Sequence, residues 1–408
     1  MGLNRHQIAA ILIGLLLLAA SAVAQPEARP PFSVGLRIVQ FEYTYPDGRK
    51  RVMTTAVWYP TYAKPAPYTY PERVPAQAMR TVEAPRSAVA LDAEPAAKDG
   101  PFPFVMFAHG AFGCAINAAF FTEYLARQGF VVATTDFEDT VPPDFTQQLA
   151  FSRLGEGNVT QPLLMLRVTG KFVETFNTDR SKCLWYATRF RWEPARFIID
   201  QVLKESKNPK SPLHRLIDEK AVGMMGHSLG GLTTLGLIGH NPATQEKRIK
   251  AALIFSAPVY PFENDLGKIE IPLLTVYGDN DPNGLGPDYP RSLLYQGIKS
   301  PRFEMILKDA NHFTFSNPHG GDLSTARESN LQVRVIQDYG VAFFQRYLKG
   351  EPRAEDILTG TNPALVCYRC ELATGKERVW GEPPDPKGDG STGGIRQEVR
   401  KRLRRHGR

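Results

Sequence analysis

The chain has 408 residues, of which 42% are hydrophobic and 22% are charged. This ordinary globular composition excludes a collagen-like, fibrous or wholly disordered protein. The net charge of +7 is concentrated in residues 395–408, which carry seven Arg or Lys and one Glu, so the rest of the chain is close to neutral and gives no reason to expect nucleic acid as a partner.

The N-terminal segment has the three parts of a secretory signal peptide. Arg5 and His6 precede an unbroken apolar run, residues 8–20, and the small residues that follow end in Ala22-Val23-Ala24. We predict cleavage after Ala24, and therefore a secreted or periplasmic protein with no stable membrane span. An uncleaved anchor helix is the alternative, although the run is short for a membrane span.

The predicted strands begin with a hairpin and then alternate with helices. Segments 33–45 and 49–60 alternate apolar and polar residues around the turn Asp47-Gly48. Residues 63–103 are predicted to be a long irregular connection. Further strands are predicted at 102–110, 130–137, 221–225, 251–258, 271–278 and 302–309, and helices at 117–128, 192–205, 229–239 and 329–349. The pattern predicts an α/β protein with a mostly parallel eight-stranded sheet flanked by helices.

Two segments stand outside the alternation. Residues 137–191 carry Phe145, Phe151, Phe172, Phe176, Trp185, Tyr186 and Phe190 with little periodicity. We interpret the segment either as a cap over a site, with some of these aromatics lining an acyl or alcohol pocket, or as an ordinary packed insertion. Residues 353–408 form a predicted C-terminal extension that ends in a disordered basic tail, since a stretch rich in Gly, Pro and Asp precedes the Arg and Lys residues.

The stretch "AVGMMGHSLGGLTTLGLIGH" at 221–240 places Ser228 between a predicted strand and a predicted helix. Gly226 and Gly230 lie two positions before and after Ser228, where side chains would clash in a tight strand–turn–helix. This G-x-S-x-G arrangement is typical of a nucleophile elbow, which exposes a reactive serine hydroxyl. A structural G-x-S-x-G turn is the alternative.

A serine nucleophile needs a base and a carboxylate that orients the base. In folds with this elbow, the acid and then the base follow the serine on later loops. His312 comes directly after the last predicted strand, and His319 is the alternative base. Asp281 lies one short turn beyond the strand 271–278, and Asp279, at the strand end, is the alternative acid.

The oxyanion of an ester-cleavage intermediate needs two backbone donors. We expect one to be the N–H of Leu229, directly after the serine. The other should come from the loop "HGAFGC" at 109–114, where Ala111 is the predicted donor and Phe112 the alternative. His109 precedes the nucleophile and is predicted to have a structural role.

The four cysteines leave their pairing open. Cys367 and Cys370 are predicted to form a local bridge or, as an alternative, a redox pair, and Cys114 and Cys183 either pair across the fold or stay as buried thiols. No second pair of Cys or His residues at metal-binding spacing accompanies Cys367 and Cys370 in the sequence, so we expect no metal, and we expect no organic cofactor.

Five segments, "VWYP", "GPFPFVMFAHGAFG", "RFIIDQVL", "GMMGHSLGG" and "DANHFTF", resemble the α/β-hydrolase superfamily. Within it, they are similar to bacterial esterases of the platelet-activating-factor acetylhydrolase-like and dienelactone-hydrolase-like kind. The resemblance covers about residues 33–350 and implies one α/β-hydrolase domain, residues 25–352 of the mature chain. It also implies a Ser-Asp-His triad, which carries over to Ser228, Asp281 and His312, with Leu229 and Ala111 as oxyanion donors.

The chain departs from these relatives at two places. Dienelactone hydrolases use a cysteine nucleophile where this chain has Ser228. In the acetylhydrolases the acid follows the next strand, where this chain has Ser256 and no Asp. The acid at "DNDP" is instead similar to its placement in secreted cutinases and polyester hydrolases.

The residues together predict a secreted serine carboxylesterase that acts on a small-molecule, lipid or polymer ester. A phospholipid acyl hydrolase of the acetylhydrolase type and a cutinase-like polyester hydrolase are the alternatives within the same chemistry. A non-catalytic binding module on a hydrolase fold is the alternative from another class.

Overall fold

A twelve-stranded mixed sheet lies at the centre of the fold. The computed structural model describes residues 32–70, 85–111, 113–137, 187–240, 244–257, 266–281, 293–299, 301–317, 322–373 and 375–381. In chain order the strands are β1 (Ser33–Thr44), β2 (Lys50–Thr61), β3 (Ala66–Thr69), β4 (Arg86–Leu91), β5 (Phe102–Ala108), β6 (Val131–Thr135), β7 (Ile217–His227), β8 (Ile249–Phe255), β9 (Leu273–Gly278), β10 (Arg302–Leu307), β11 (Leu365–Glu371) and β12 (Glu377–Trp380).

The six strands at the middle of the sheet are all parallel, in the spatial order β6-β5-β7-β8-β9-β10. Most of their residues are apolar, and every residue of β5, β6 and β9 is buried. Parallel strands have this character because helices cover both faces of the sheet. The α/β class predicted from the sequence is therefore correct.

The prediction of an eight-stranded, mostly parallel sheet is wrong. All eight predicted strands are present, but β3, β4, β11 and β12 add to them, and five of the eleven neighbouring strand pairs are antiparallel. The first two extra strands come from the segment predicted to be irregular, and the last two from the predicted C-terminal extension. The added strands are only four to seven residues long. Pro67 lies in β3, a position tolerated because β3 is an edge strand.

Helices cover both faces of the sheet. They are α1 (Ala119–Arg127), α2 (Glu193–Lys207), α3 (Leu229–Leu235), α4 (Leu293–Gly297), α5 (Ala326–Ser329), α6 (Leu331–Phe344) and α7 (Ala354–Leu358). Single π-helical turns at Thr188–Trp192, Gly236–His240 and Gln345–Lys349 precede α2 and follow α3 and α6. The four predicted helices correspond to α1, α2, α3 and α6, with ends that differ by a few residues.

The two faces have separate apolar cores. Phe121 of α1 and Phe343 of α6 belong to one core, and Ile198 of α2 and Leu232 of α3 to the other. Gly340 of α6 brings α6 close to α1, because a Cβ there would lie 2.5 Å from Cζ of Phe121. Full burial of each such side chain contributes about 1.5–3 kcal/mol to folding.

The local bridge predicted between Cys367 and Cys370 is not present. Cys367 and Cys370 lie three positions apart on β11, so their side chains point to opposite faces of the sheet, and both are free and buried. Burial raises the pKa of the Cys370 thiol to about 11, which keeps it protonated and unsuited to redox exchange. Cys114 is buried, with its Sγ 3.0 Å from Oδ1 of Asn117, and its predicted partner Cys183 lies outside the described residues.

Three sequence predictions fall on other parts of the chain. The signal peptide at 1–24, most of the 137–191 segment (residues 138–186) and the basic tail from 382 onward lie outside the described residues. Among the residues that are described, no helix has the length and apolar character needed to cross a membrane.

Candidate active site

The predicted site residues follow the carboxyl ends of four parallel strands. Ser228 follows β7, Asp281 follows β9, His312 follows β10, and the loop that begins at His109 follows β5. Because these strands run in the same direction, all four segments emerge at one edge of the sheet. That edge is where open α/β sheets hold their ligands.

Ser228 lies in a tight turn between β7 and α3. Its backbone has φ 54° and ψ −118°, a conformation that residues other than glycine rarely adopt. The N–H of Ser228 donates to the carbonyl of Phe255 on the neighbouring β8 at 2.9 Å, and its own carbonyl accepts from Leu232 at 3.1 Å. These bonds hold the turn, and the Ser228 residue remains partly exposed between buried neighbours.

The two glycines around Ser228 are required by backbone contacts. A Cβ on Gly226 would lie 2.1 Å from the carbonyl oxygen of Gly230. A Cβ on Gly230 would lie 1.9 Å from the carbonyl oxygen of Ala108. Since both obstacles are backbone atoms, no side-chain rotation can relieve them. Gly226 is therefore needed where β7 passes the start of α3, and Gly230 is needed where α3 passes the end of β5.

His312 contacts Asp281 at the same edge of the sheet. Nδ1 of His312 lies 3.0 Å from Oδ2 and 3.2 Å from Oδ1 of Asp281. The carboxylate is fully buried, and His312 is 8% exposed. With Nδ1–H donated to the carboxylate, Nε2 of the imidazole carries the lone pair that can take a proton.

The alternative acid, Asp279, has a different contact. Its Oδ1 accepts the backbone N–H of Ala310 at 3.1 Å, while the N–H of Asn280 donates to the Ala310 carbonyl at 2.8 Å. Gly278 permits this approach, because a Cβ there would lie 2.2 Å from the same carbonyl oxygen. These contacts join the loops after β9 and β10 and bring Asp281, not Asp279, to His312.

The turn that carries His312 packs on the serine turn. A reciprocal capping box fixes its start: Oδ1 of Asn311 accepts from the Phe313 N–H, and Oγ1 of Thr314 accepts from the Asn311 N–H, both at 2.9 Å. Phe315 stacks on Phe255, with ring centroids 5.3 Å apart. Phe255 is the residue whose carbonyl binds the Ser228 N–H, so the histidine turn and the serine turn share a support.

His227 lies between these turns. Its ring centroid is 4.7 Å from that of His312, and the residue is only 3% exposed. Burial, together with the proximity of His312, lowers the pKa of His227 to about 3. The residue before the serine is therefore a neutral imidazole at ordinary pH, and it places no positive charge beside His312.

The loop predicted to hold the second oxyanion donor also contacts Ser228. A Cβ on Gly110 would lie 3.3 Å from Cβ of Ser228 and 3.2 Å from Nδ1 of His227, so a side chain there would force these neighbours to move by a few tenths of an ångström. Ala111, the predicted donor, follows directly and is partly buried. In the part of the chain that the structure describes, the N–H of Leu229 donates no hydrogen bond, which leaves it available to a ligand.

His109 holds this loop rather than facing the serine. Its Nε2 accepts the N–H of Phe137 at 3.2 Å, which leaves the proton on Nδ1, and Nδ1 donates to the carbonyl of Gly110 at 2.7 Å. The fully buried His109 side chain therefore has both ring nitrogens occupied by backbone groups. A base needs a nitrogen free for the proton it takes, and His109 has none.

The arrangement combines the parts that acyl transfer needs. A partly exposed serine in a strained turn, a histidine held by a buried carboxylate, and the backbone N–H of Leu229 directly after the serine lie at one edge of the sheet. The alternative base His319 and the alternative donor Phe112 lie outside the described residues. Sequence reasoning did not predict that His227 contacts His312. It also did not predict the contacts of Arg191, a residue 82 positions from His109 in the chain.

Neither a scan against models of known protein families nor a search of curated proteins gives a match for this chain. The resemblance described above therefore rests on its motifs.

Proposed function

We propose that this protein is a serine hydrolase that cleaves carboxylic esters, with Ser228 as nucleophile, His312 as general base and acid, and Asp281 as the residue that orients His312. The observation that carries the proposal is the His312–Asp281 contact of 3.0 Å, next to a serine held at positive φ by glycines and backbone bonds. The chemistry needs no metal or organic cofactor, because every proton is moved by His312.

In the first half of the reaction, Oγ of Ser228 attacks the ester carbonyl carbon while Nε2 of His312 takes the hydroxyl proton. The carbonyl oxygen becomes an oxyanion, which accepts hydrogen bonds from the N–H groups of Leu229 and Ala111. The intermediate collapses as the bond to the alcohol oxygen breaks. His312 returns the proton to that oxygen, so the alcohol leaves neutral and the acyl group stays on Ser228.

In the second half, water replaces the alcohol. His312 takes a proton from the water, whose oxygen attacks the acyl carbon, and a second oxyanion forms at the same backbone donors. The bond to Oγ of Ser228 then breaks and His312 protonates the serine. Throughout, Asp281 keeps the Nδ1 proton of His312 in place and stabilises the imidazolium that forms in each half.

We also propose that the fold is that of the α/β-hydrolases and that the protein is exported. The parallel centre of the sheet, the turn after β7 and the acid and base after β9 and β10 support the fold assignment. The sequence of residues 1–24 alone supports export.

The experiment is steady-state hydrolysis of a chain-length series of p-nitrophenyl esters by the purified protein. We expect turnover by the wild type and a loss of kcat of about 10⁶-fold in Ser228→Ala. The matched control is Ser256→Ala. Ser256 follows the neighbouring strand β8, is fully buried and also has a positive φ of 46°.

Ser256→Ala should keep the turnover of the wild type, because its side chain is not proposed to react. Absence of turnover in the wild type, or equal losses in the two serine variants, would overturn the proposal. The preferred chain length identifies the acyl group that the site accepts.

A further inference from the structure

Arg191 is a fully buried arginine in the π-helical turn Thr188–Trp192. Burying a guanidinium costs several kcal/mol unless its N–H groups find acceptors and its charge is compensated. Turns of this type are rare and occur often at functional sites. The acceptors that Arg191 binds therefore indicate what the residue does.

Two of these acceptors are successive carbonyls of the loop beside Ser228. Nη1 of Arg191 donates to the carbonyl of His109 at 2.8 Å, and Nη2 donates to the carbonyl of Gly110 at 3.2 Å. The guanidinium also lies over the ring of Phe137, with its carbon 4.5 Å from the ring centroid. Phe137 donates its N–H to Nε2 of His109, so Arg191 and Phe137 both hold His109.

The Gly110 carbonyl accepts three hydrogen bonds. Besides Nη2 of Arg191, it accepts from Nδ1 of His109 at 2.7 Å and from the N–H of Gly113 at 3.1 Å. The peptide between Gly110 and Ala111 is trans, because among the described residues only the Gly100-Pro101 peptide is cis. In a trans peptide the C=O and N–H point in opposite directions. Fixing the Gly110 oxygen on the guanidinium side therefore turns the N–H of Ala111 away from that side.

Hydrogen bonds to a carbonyl also polarise the N–H of the same peptide and strengthen it as a donor. This peptide is the one that passes the serine, because Gly110 lies against Ser228. Arg191 thus acts on both the direction and the strength of the N–H that is proposed to bind the oxyanion.

The neighbouring residue fixes the π-helical turn from the other side. Trp192 is fully buried, and a Cβ on Gly236 would lie 1.9 Å from its Nε1. Gly236 directly follows α3, the helix that begins with Leu229. Arg191 therefore binds the Ala111 loop, while Trp192 packs at the end of the helix that carries the other proposed donor.

We propose that Arg191 is a positioning residue that sets the oxyanion hole by holding the Gly110–Ala111 peptide in the orientation that the transition state needs. This inference rests on the proposed esterase function. A misaligned donor binds the oxyanion of the transition state less well but leaves the uncharged ester in place. The loss should therefore fall on kcat and not on KM.

The experiment compares Arg191→Met and Arg191→Lys with the matched control Arg369→Met. Arg369 is another buried arginine, 8% exposed and bound to Glu304 on β10, away from the serine turn. We measure kcat and KM for one p-nitrophenyl ester and the Ki of an alkyl trifluoromethyl ketone, which forms a tetrahedral oxyanion on a serine. All assays run well below the Tm of each variant.

We expect Arg191→Met to lose about 10²-fold in kcat, as when one oxyanion donor is removed, with KM changed by less than about threefold. The Ki of the ketone should rise by the factor by which kcat/KM falls. Arg191→Lys should be intermediate, because one ammonium can bind only one of the two carbonyls well. Arg369→Met should lower Tm and leave kcat and Ki near their wild-type values.

If Arg191→Met does not fold, Arg191→Lys decides the question through the same kcat and Ki comparison. The inference is overturned if the Arg191 variants keep wild-type kcat and Ki, or if their losses fall on KM alone. In that outcome the wild type still hydrolyses esters and Ser228→Ala is inactive. Failure of the proposed function is distinct, because the wild type would then show no turnover.

Discussion

The imidazole rings of His227 and His312 lie with their centroids 4.7 Å apart, although one residue ends β7 and the other follows β10. The contact brings the histidine turn over the serine turn. It also requires one ring to stay neutral, because two imidazolium ions at this distance would repel each other. Burial makes His227 that neutral ring, since its pKa falls to about 3.

The buried His227 should make the fold sensitive to acid. Its pKa is 6.5 in the unfolded chain and about 3 in the folded protein, so between these values only the unfolded chain binds the proton. Its contribution to stability is present above pH 6.5 and is lost as the pH falls toward 3. In urea unfolding measured across this pH window, the free energy of unfolding should fall less steeply with decreasing pH in His227→Gln than in the wild type.

Glu123 of α1 should have the opposite effect. The carboxyl group is buried and accepts from the hydroxyls of Tyr70 and Ser87 at 2.7 and 2.6 Å. Burial raises its pKa from 4.5 to about 7, although these hydroxyls and Arg127 lower it. The folded protein holds the proton in this window, so the contribution of Glu123 to stability is full below pH 4.5 and declines as the pH rises toward 7. Glu123→Gln should remove that decline in urea unfolding.

The two pH windows overlap between pH 4.5 and 6.5. There His227 makes stability rise with pH and Glu123 makes it fall, so the two pH dependences cancel in the wild type. Relative to the wild type, stability should fall with rising pH in His227→Gln and rise with pH in Glu123→Gln. Changes of the same sign in both variants would contradict this assignment of protons.

Asp281 and Asp279 provide a matched pair of carboxylates, two residues apart. Asp281→Asn should lower kcat by about 10³–10⁴-fold, because an amide favours the wrong tautomer of His312. Asp279→Asn should have a much smaller effect, since Asp279 binds the backbone of Ala310 and not the imidazole. Ester hydrolysis by the two purified variants is the measurement. A larger loss in Asp279→Asn would assign the acid to Asp279.

Gly230→Ala should distort the serine turn. The added Cβ would lie 1.9 Å from the carbonyl oxygen of Ala108, so either the turn or β5 has to move. We expect a lower Tm and a kcat reduced by at least about 10²-fold, because misplacement by about 1 Å has costs of this size. Gly267→Ala is the control, since its nearest heavy atom would be 3.7 Å away. Wild-type kcat in Gly230→Ala would show that the close approach is not needed for reaction.

Hydrophobic patterning was sufficient to predict the centre of the fold. Strands such as β5 and β6 are short apolar runs between turn signals, and α2 carries its apolar residues at helical spacing. The edge strands could not be predicted in this way. β3 contains Pro67, and most of β12 is exposed, so neither has the alternation of a half-buried strand. Pairing with distant segments, and not local pattern, makes them strands.

At the site, the chain order Ser, Asp, His and the spacing of the glycines predicted Ser228, Asp281 and His312, which lie at one edge of the sheet. The contact of Asp281 with His312 agrees with the order, although their roles in catalysis stay predictions. The contacts of Arg191 could not be predicted, because the sequence around it, with Arg189 two positions earlier, does not indicate which carbonyls an arginine there binds. Of the aromatic residues in the 137–191 segment, Phe190 packs against Tyr45 of the first hairpin, with ring centroids 6.0 Å apart.

The reactivity of Ser228 is the central claim, and covalent trapping tests it most directly. The protein is incubated with a small fluorophosphonate, and the adduct is located by intact mass and peptide mapping. We predict one adduct per chain, on Ser228, that is lost in Ser228→Ala and retained in Ser256→Ala. An unlabelled wild type, or an adduct on any other residue that persists in Ser228→Ala, would contradict the account.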